Sequence, residues 1–144
     1  MPPERRENEL KIPVRNLLAI MAPEYLVFNH QDVRESGHPD WSISGDGKTT
    51  WWEFKHGVPD FDPHGLQLLT CQRLARASFC RYIIWQEGAD GGNPRTLIVH
   101  PDEVRRARKA KSWDLDAEFS APGFGPSFIV HHILGVHRGA RNAG

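Results

Sequence analysis

The feature that most constrains the fold is an alternating segment, residues 41–55, that is interrupted in its middle by Asp46-Gly47. Trp, Ile, Thr and Phe recur there with period two, which is typical of half-buried β-strands. An Asp-Gly pair between two such arms predicts a two-residue hairpin turn, because glycine readily adopts the positive φ that a tight turn requires. If these two residues form the loop, Gly45 faces Lys48 and the register of the whole hairpin follows.

The predicted register brings two carboxylates and a lysine to one face of the hairpin. Counting outward from the turn places Asp40 opposite Glu53, and directly opposed residues have Cβ atoms roughly 5 Å apart. Lys55 lies two residues beyond Glu53 and points the same way, whereas Phe54 points into the other face. Two facing carboxylates repel each other, and Mg²⁺ offsets that repulsion because it takes carboxylate oxygens as ligands. Together with a lysine that stabilises developing negative charge, this set suits metal-assisted hydrolysis of a phosphodiester.

These residues carry a family resemblance. Pro39-Asp40, then a hairpin, then Glu-Phe-Lys at residues 53–55 resemble the signature of the PD-(D/E)XK nuclease superfamily. With Gly37 before Pro39, the local form is most similar to small members of the VRR-NUC or Holliday-junction-resolvase-like type. The resemblance implies an α/β fold with a restriction-endonuclease-like core, in which helices flank a mixed central β-sheet. The predicted order of elements agrees with this core: helix, strand, hairpin, helix, strand, strand, helix.

The resemblance also implies roles for individual residues. In that family the aspartate and the glutamate bind Mg²⁺, the backbone carbonyl between the glutamate and the lysine adds a ligand, and the lysine assists hydrolysis. Carried over to this chain, Asp40, Glu53 and the backbone carbonyl of Phe54 hold Mg²⁺ or Mn²⁺, and Lys55 assists the reaction.

Two helices are expected, again by resemblance, to add catalytic side chains. Family members often carry a glutamate on the first helix, and Glu7 fits because apolar residues follow it at offsets of three, seven and eleven. Glu9 is the alternative. Related nucleases also place a glutamine on the helix after the active strand, and both Gln67 and Gln72 are candidates for that position.

Contacts with DNA must come from local basic patches, because the net charge of the chain is zero. His56 follows the catalytic lysine and is placed to touch a phosphate. Arg73 and Arg76 are three residues apart on a predicted helix, so they project from one face. Arg105 and Arg106 belong to a second basic helix that begins near residue 101. We expect these five side chains to form the DNA-binding surface.

Length and composition predict one domain over residues 1–137 and a disordered tail over residues 138–144. No apolar run approaches the roughly 20 residues that cross a bilayer, so no membrane contact is expected. The first residues lack the apolar segment of a signal peptide, and a cytoplasmic location is the default expectation. No zinc site is expected, because His131, His132 and His137 do not have the spacing of a helical zinc pair.

The sequence therefore predicts a nuclease, most simply an endonuclease, that uses Mg²⁺ or Mn²⁺ to hydrolyse DNA. A homodimer would suit cleavage of two strands. One alternative is a non-catalytic module that uses the same fold to bind nucleic acid or protein. Another is a structural dimer whose interface contains Trp41 and Trp51. The form of the DNA substrate stays open.

Overall fold

The structure is a computed structural model that describes residues 3–30, 37–57, 65–86, 94–106, 117–123 and 125–142. Within these ranges, only the backbone is described for residues 3–7, 57, 105–106 and 140–142. The helices and strands, in chain order, are α1 (Pro3–Met21), β1 (Leu26–Asn29), β2 (Trp41–Gly45), β3 (Lys48–Gly57), α2 (Gly65–Ala77), β4 (Cys80–Gln86), β5 (Arg95–Val99), α3 (Pro101–Arg106), β6 (Phe119–Pro122) and α4 (Pro126–Asn142).

The six strands form one mixed sheet in which spatial order follows chain order, from β1 at one edge to β6 at the other. Four of the five strand pairs are antiparallel, and β3 and β4 are parallel. A parallel pair needs a crossover connection, and α2 supplies it. The predicted α/β architecture, a mixed sheet flanked by helices, is confirmed at this level.

The β2–β3 hairpin has the predicted turn and register. Gly45 pairs with Lys48, and the ladder continues to the pair of Trp41 and Trp52. The two turn residues have positive φ, 53° at Asp46 and 76° at Gly47, as a type I′ turn requires. Because this turn has two residues, the faces of both strands are assigned as the sequence predicted.

Helices cover both faces of the sheet. On one face, α1 and α4 pack over an apolar cluster that contains the even-numbered residues Trp52 and Phe54 of β3. On the other face, α2 and α3 pack over a smaller cluster that contains Tyr82 and Ile84 of β4. The odd-numbered residues of β3, Glu53 among them, therefore share a face with α2.

The structure differs from the sequence predictions in three places. Residues 138–142, expected to belong to a disordered tail, continue α4, and Arg138 lies 5.6 Å from the ring of Tyr25. The short strand β6 has no counterpart in the predicted order of elements. Trp41 is 1% exposed, so the alternative that places it in a dimer interface is wrong. Nowhere in the described ranges is a helix both long enough and apolar enough to cross a membrane.

Candidate active site

The candidate site lies just before the first residue of β2. There β3 extends beyond the hairpin ladder and, among the described residues, has no strand partner on the β2 side. Continued past Trp41 and Trp52, the register would pair Asp40 with Glu53 and then Pro39 with Phe54. Proline has no N–H and cannot continue the ladder. The carboxylate of Asp40 instead accepts the N–H of Phe54, with Oδ2 3.0 Å from the nitrogen. Since the N–H and C=O of one residue point the same way in an antiparallel strand, the Phe54 carbonyl also faces this edge.

The two carboxylates predicted to meet are neighbours across the hairpin. The backbone N–H of Asp40 donates to Oε1 of Glu53 at 3.0 Å. Glu53 is 1% exposed and Asp40 8% exposed, so both groups have lost most of their contact with water. Such burial is unfavourable for a charge unless partners replace the water. Opposed, buried carboxylates are therefore a feature that stability alone does not favour.

Two lysines supply the positive charge. Lys55, on the same face as Glu53, has its Nζ 3.2 Å from Oε2 of that residue. Lys11, on α1, has its Nζ 3.2 Å from Oδ2 of Asp40. Lys55 keeps 24% of its side chain exposed, whereas the Lys11 residue is only 4% exposed. The two lysines thus differ in access: a molecule in solution can touch Lys55, and Lys11 acts from inside the protein.

The environment of Glu53 favours its neutral form. Burial, and after it the negative charge of Asp40, raise the pKa of Glu53 to about 8, although Lys55 acts in the opposite direction. A carboxyl with this pKa holds a proton at neutral pH. A divalent cation would displace that proton, because metal ligands bind in their deprotonated form.

Lys11 is the residue of this site that the sequence analysis missed. We expected the first helix to approach the site through Glu7, with Glu9 as the alternative. Glu9 is exposed, and the side chain of Glu7 lies outside the part of the chain that the structure describes. α1 does approach the site, but it does so through Lys11. The sequence contained a signal for this position, because Lys11 adjoins the apolar Leu10 and precedes the apolar Val14 by three residues. Both apolar residues are buried in the structure.

The crossover helix α2 comes close to the entry of β2 because of a glycine. Gly37 has φ 107°, and a Cβ at this position would lie 2.9 Å from Cγ of Leu66 and 3.0 Å from Oγ1 of Thr70. Only glycine allows this approach. Of the two glutamine candidates on the same helix, Gln72 is buried and Gln67 is partly exposed. The choice between them stays a prediction.

The residues predicted to bind DNA lie in different environments. His56 is 6% exposed and lies on the face opposite Lys55, with its ring 5.4 Å from that of Trp85. Arg73 and Arg76 are both exposed on α2, and Arg76 lies 3.9 Å from the carboxylate of Asp102. The side chains of the remaining pair, Arg105 and Arg106, are outside the described part of the chain. Of the five residues predicted to bind DNA, only Arg73 and Arg76 are therefore described as exposed basic side chains.

The donors at the site fit a hard cation. Asp40, Glu53 and the Phe54 carbonyl offer oxygen only, and Mg²⁺ binds through one or two carboxylates while it keeps several waters. The described residues contain no cluster of three or more His, Cys, Asp or Glu side chains that could hold a metal ion. A metal at this site would therefore depend on the backbone carbonyl and on water to complete its shell.

Comparison with known proteins adds no relative: no protein-family model, no curated protein and no solved structure matches this chain. The interpretation of the site therefore rests on its residues and their geometry.

Proposed function

We propose that the protein is a Mg²⁺- or Mn²⁺-dependent nuclease that hydrolyses phosphodiester bonds of DNA, acting as an endonuclease. One observation carries the proposal. Asp40 and Glu53 meet across the end of a hairpin, both buried, with Lys55 3.2 Å from the glutamate and partly open to solvent. Facing carboxylates at this position repel each other, and a divalent cation would turn that repulsion into coordination.

The architecture supports the proposal. Glu53 lies on β3, the strand that forms the parallel pair, and Asp40 lies just before its hairpin partner β2. The crossover helix α2 is the next element after β3 in the chain. The described order helix, strand, hairpin, helix, strand agrees with the restriction-endonuclease-like core that the sequence resembles. We therefore propose that the mixed sheet and its helices form a core of that type.

Each group has a distinct part in the proposed reaction. A bound Mg²⁺ or Mn²⁺ would lower the pKa of a water and polarise the phosphate. Asp40, Glu53 and the Phe54 carbonyl hold the ion, and their burial strengthens that attraction. Lys55 donates hydrogen bonds to the phosphoryl oxygens as these gain negative charge. Gln67 or Gln72 of α2 would steady the site from the helix side.

The test is cleavage of plasmid, linear, single-stranded and branched DNA with Mg²⁺ or Mn²⁺. We expect Glu53→Gln, which keeps the shape of the side chain and removes its ability to ionise, to abolish cleavage.

Lys55→Met should keep metal binding and lose most of the rate, roughly 100-fold or more, because it removes one donor to the transition state. Glu24→Gln changes an exposed carboxylate between α1 and β1 and serves as the control with unchanged activity. Cleavage by Glu53→Gln at the wild-type rate would overturn the proposal.

A second function has one observation in its favour. Lys11 lies 3.2 Å from Asp40 and Lys55 lies 3.2 Å from Glu53, so each carboxyl group has a lysine partner without any metal, as in a non-catalytic module that binds nucleic acid or protein. In that case the four groups form a closed electrostatic cluster, and Mn²⁺ does not raise the thermal stability of the protein. The nuclease requires the opposite result, because an ion that binds only the folded state stabilises it.

A further inference from the structure

Four aromatic rings surround the approach to the candidate site on the α2 face of the sheet. The ring of His30 is central, and its centroid lies 5.3 Å from that of Trp51, 6.3 Å from that of His38 and 6.5 Å from that of Phe28. The angles between His30 and these three rings are 30°, 34° and 31°. Each of the three rings is thus tilted by only about a third of a right angle from the plane of His30. We refer to Phe28, His30, His38 and Trp51 as the ring platform.

Strand register places the ring platform directly beside the two carboxylates. The backbone N–H of His30 donates to the carbonyl of Asp40 at 2.7 Å, and Asp40 opposes Glu53 in the next strand. The side chain of Trp51 is two residues before Glu53 and points to the same face. Phe28 extends the platform toward the edge of the sheet, since it pairs with Ser42, which in turn pairs with Trp51.

The ring platform is accessible. Phe28 is 53% exposed and His38 is also exposed, while His30 and Trp51 are partly exposed. The helices of this face pack on β3 and β4 rather than on the edge strand β1.

We infer that the ring platform binds unpaired nucleobases of the DNA strand that is cleaved, so that the substrate is single-stranded beside the scissile phosphate. The inference rests on the proposed function, because the phosphate at Asp40 and Glu53 determines what lies next to it. The base attached to a phosphodiester at that position is one sugar away, and His30 and Trp51 adjoin Asp40 and Glu53 on this face of the sheet. Aromatic side chains stack on bases of any sequence, and every base has a π-face to offer.

The unpaired state follows from the geometry of stacking. In a duplex, neighbouring base pairs cover both faces of each base, and its faces are closed to a protein ring. An unpaired nucleotide can turn a face outward and stack on an aromatic side chain. Among the four substrate forms that the sequence leaves open, the ring platform therefore favours single strands and the single-stranded arms of branched DNA over intact duplex.

The experiment measures binding of fluorescent oligonucleotides to the full-length protein that carries Glu53→Gln, so that no cleavage intervenes. The probes are a single strand, a duplex of the same length and a single strand with abasic sites beside the central phosphate.

In the Glu53→Gln background, Phe28→Ala should weaken single-strand binding about tenfold, the effect of losing one stacked base, and leave duplex binding unchanged. Phe28→Tyr keeps the ring and should retain binding. Phe119→Ala removes a 48% exposed phenylalanine from β6, at the other edge of the sheet, and should change nothing.

Three other results would each overturn the inference. The abasic strand would bind as tightly as the normal strand if phosphates alone were recognised. Equal losses for Phe28→Ala and Phe119→Ala would show a general effect of surface hydrophobicity. A change in molar mass by light scattering with Phe28→Ala would make β1 a contact between two copies of the chain. If the binding results are as expected but wild-type protein cleaves none of the DNA forms, the proposed nuclease function fails and the ring platform stands.

Discussion

The two ends of the β2–β3 hairpin place acidic residues in opposite situations. At the turn, Asp46 is a single carboxylate that accepts a hydrogen bond from the hydroxyl of Tyr25 and lies 3.6 Å from Arg138. At the open end, Asp40 and Glu53 face each other, and the second of these is 1% exposed. The turn end has one carboxylate, with a donor and a cation beside it. The open end also has cations, Lys11 and Lys55, but it brings two carboxyl groups together in a buried site, which stability alone does not favour.

The comparison of the two hairpin ends predicts that the largest loss of stability follows substitution of Lys11. Lys11→Met removes the cation from a buried pair and leaves Asp40 uncompensated, which typically lowers the free energy of unfolding by roughly 3–5 kcal/mol. We expect this loss in urea denaturation without metal. Mn²⁺ should restore part of it, because the ion replaces the missing positive charge.

Lys48→Met is the matched control for this loss, because Lys48 belongs to the turn end and is exposed. Its amine donates only to the carbonyl of Val136, at 3.3 Å. A change within about 0.5 kcal/mol is expected for such a surface substitution. Equal effects of the two lysine variants would remove the distinction between the hairpin ends.

The second largest effect is expected in the pH dependence of stability, which reports on Glu53 at the open end of the hairpin. The folded protein raises the pKa of Glu53 from the ordinary 4.5 to about 8, so between these values the folded state holds a proton that the unfolded state has released. Stability from this group is complete below about pH 4.5 and falls as pH rises toward 8, by up to about 1.4 kcal/mol per pH unit. Urea denaturation from about pH 5 to about pH 8 should show a decline for wild type relative to Glu53→Gln.

The control for this pH profile is Glu9→Gln, which changes an exposed carboxylate of α1. It should follow the wild-type decline. If wild type and Glu53→Gln kept a constant difference across the range, Glu53 would not be the group that titrates.

The smallest effect is expected at the turn. Asp46→Asn keeps a side chain that tolerates the positive φ of this position and still accepts a hydrogen bond from Tyr25. It removes the ion pair with Arg138, which is worth at most about 1 kcal/mol. Thermal unfolding should show a small shift. A loss of about 2 kcal/mol or more would mean that the turn end, too, depends on its charge.

Local signals in the sequence were sufficient for the hairpin and for the pairing of its carboxylates. Asp46-Gly47 determined the turn, and strict alternation from it placed Glu53 and Lys55 on one face. The same alternation places His56 with Phe54 on the other face, so its burial could also have been predicted.

The remaining features depend on tertiary packing. The ion pair of Lys11 with Asp40 joins residues that are distant in the chain, and only the docking of α1 against β3 brings them together. The helical path of residues 138–142 likewise depends on α4 packing against α1 and on Arg138 lying over Tyr25. Local composition, which predicted a disordered tail, contains neither contact.

The central claim is that the open end of the hairpin binds a divalent cation and the turn end does not. The most direct test is thermal unfolding with and without saturating Mn²⁺ for wild type, Glu53→Gln, Asp40→Asn and Asp46→Asn. We predict that Mn²⁺ raises the melting temperature of wild type and of Asp46→Asn equally, since about 100-fold excess over Kd adds about 2.7 kcal/mol, and leaves the other two unchanged. An equal rise in Glu53→Gln, or no rise in wild type, would contradict the account.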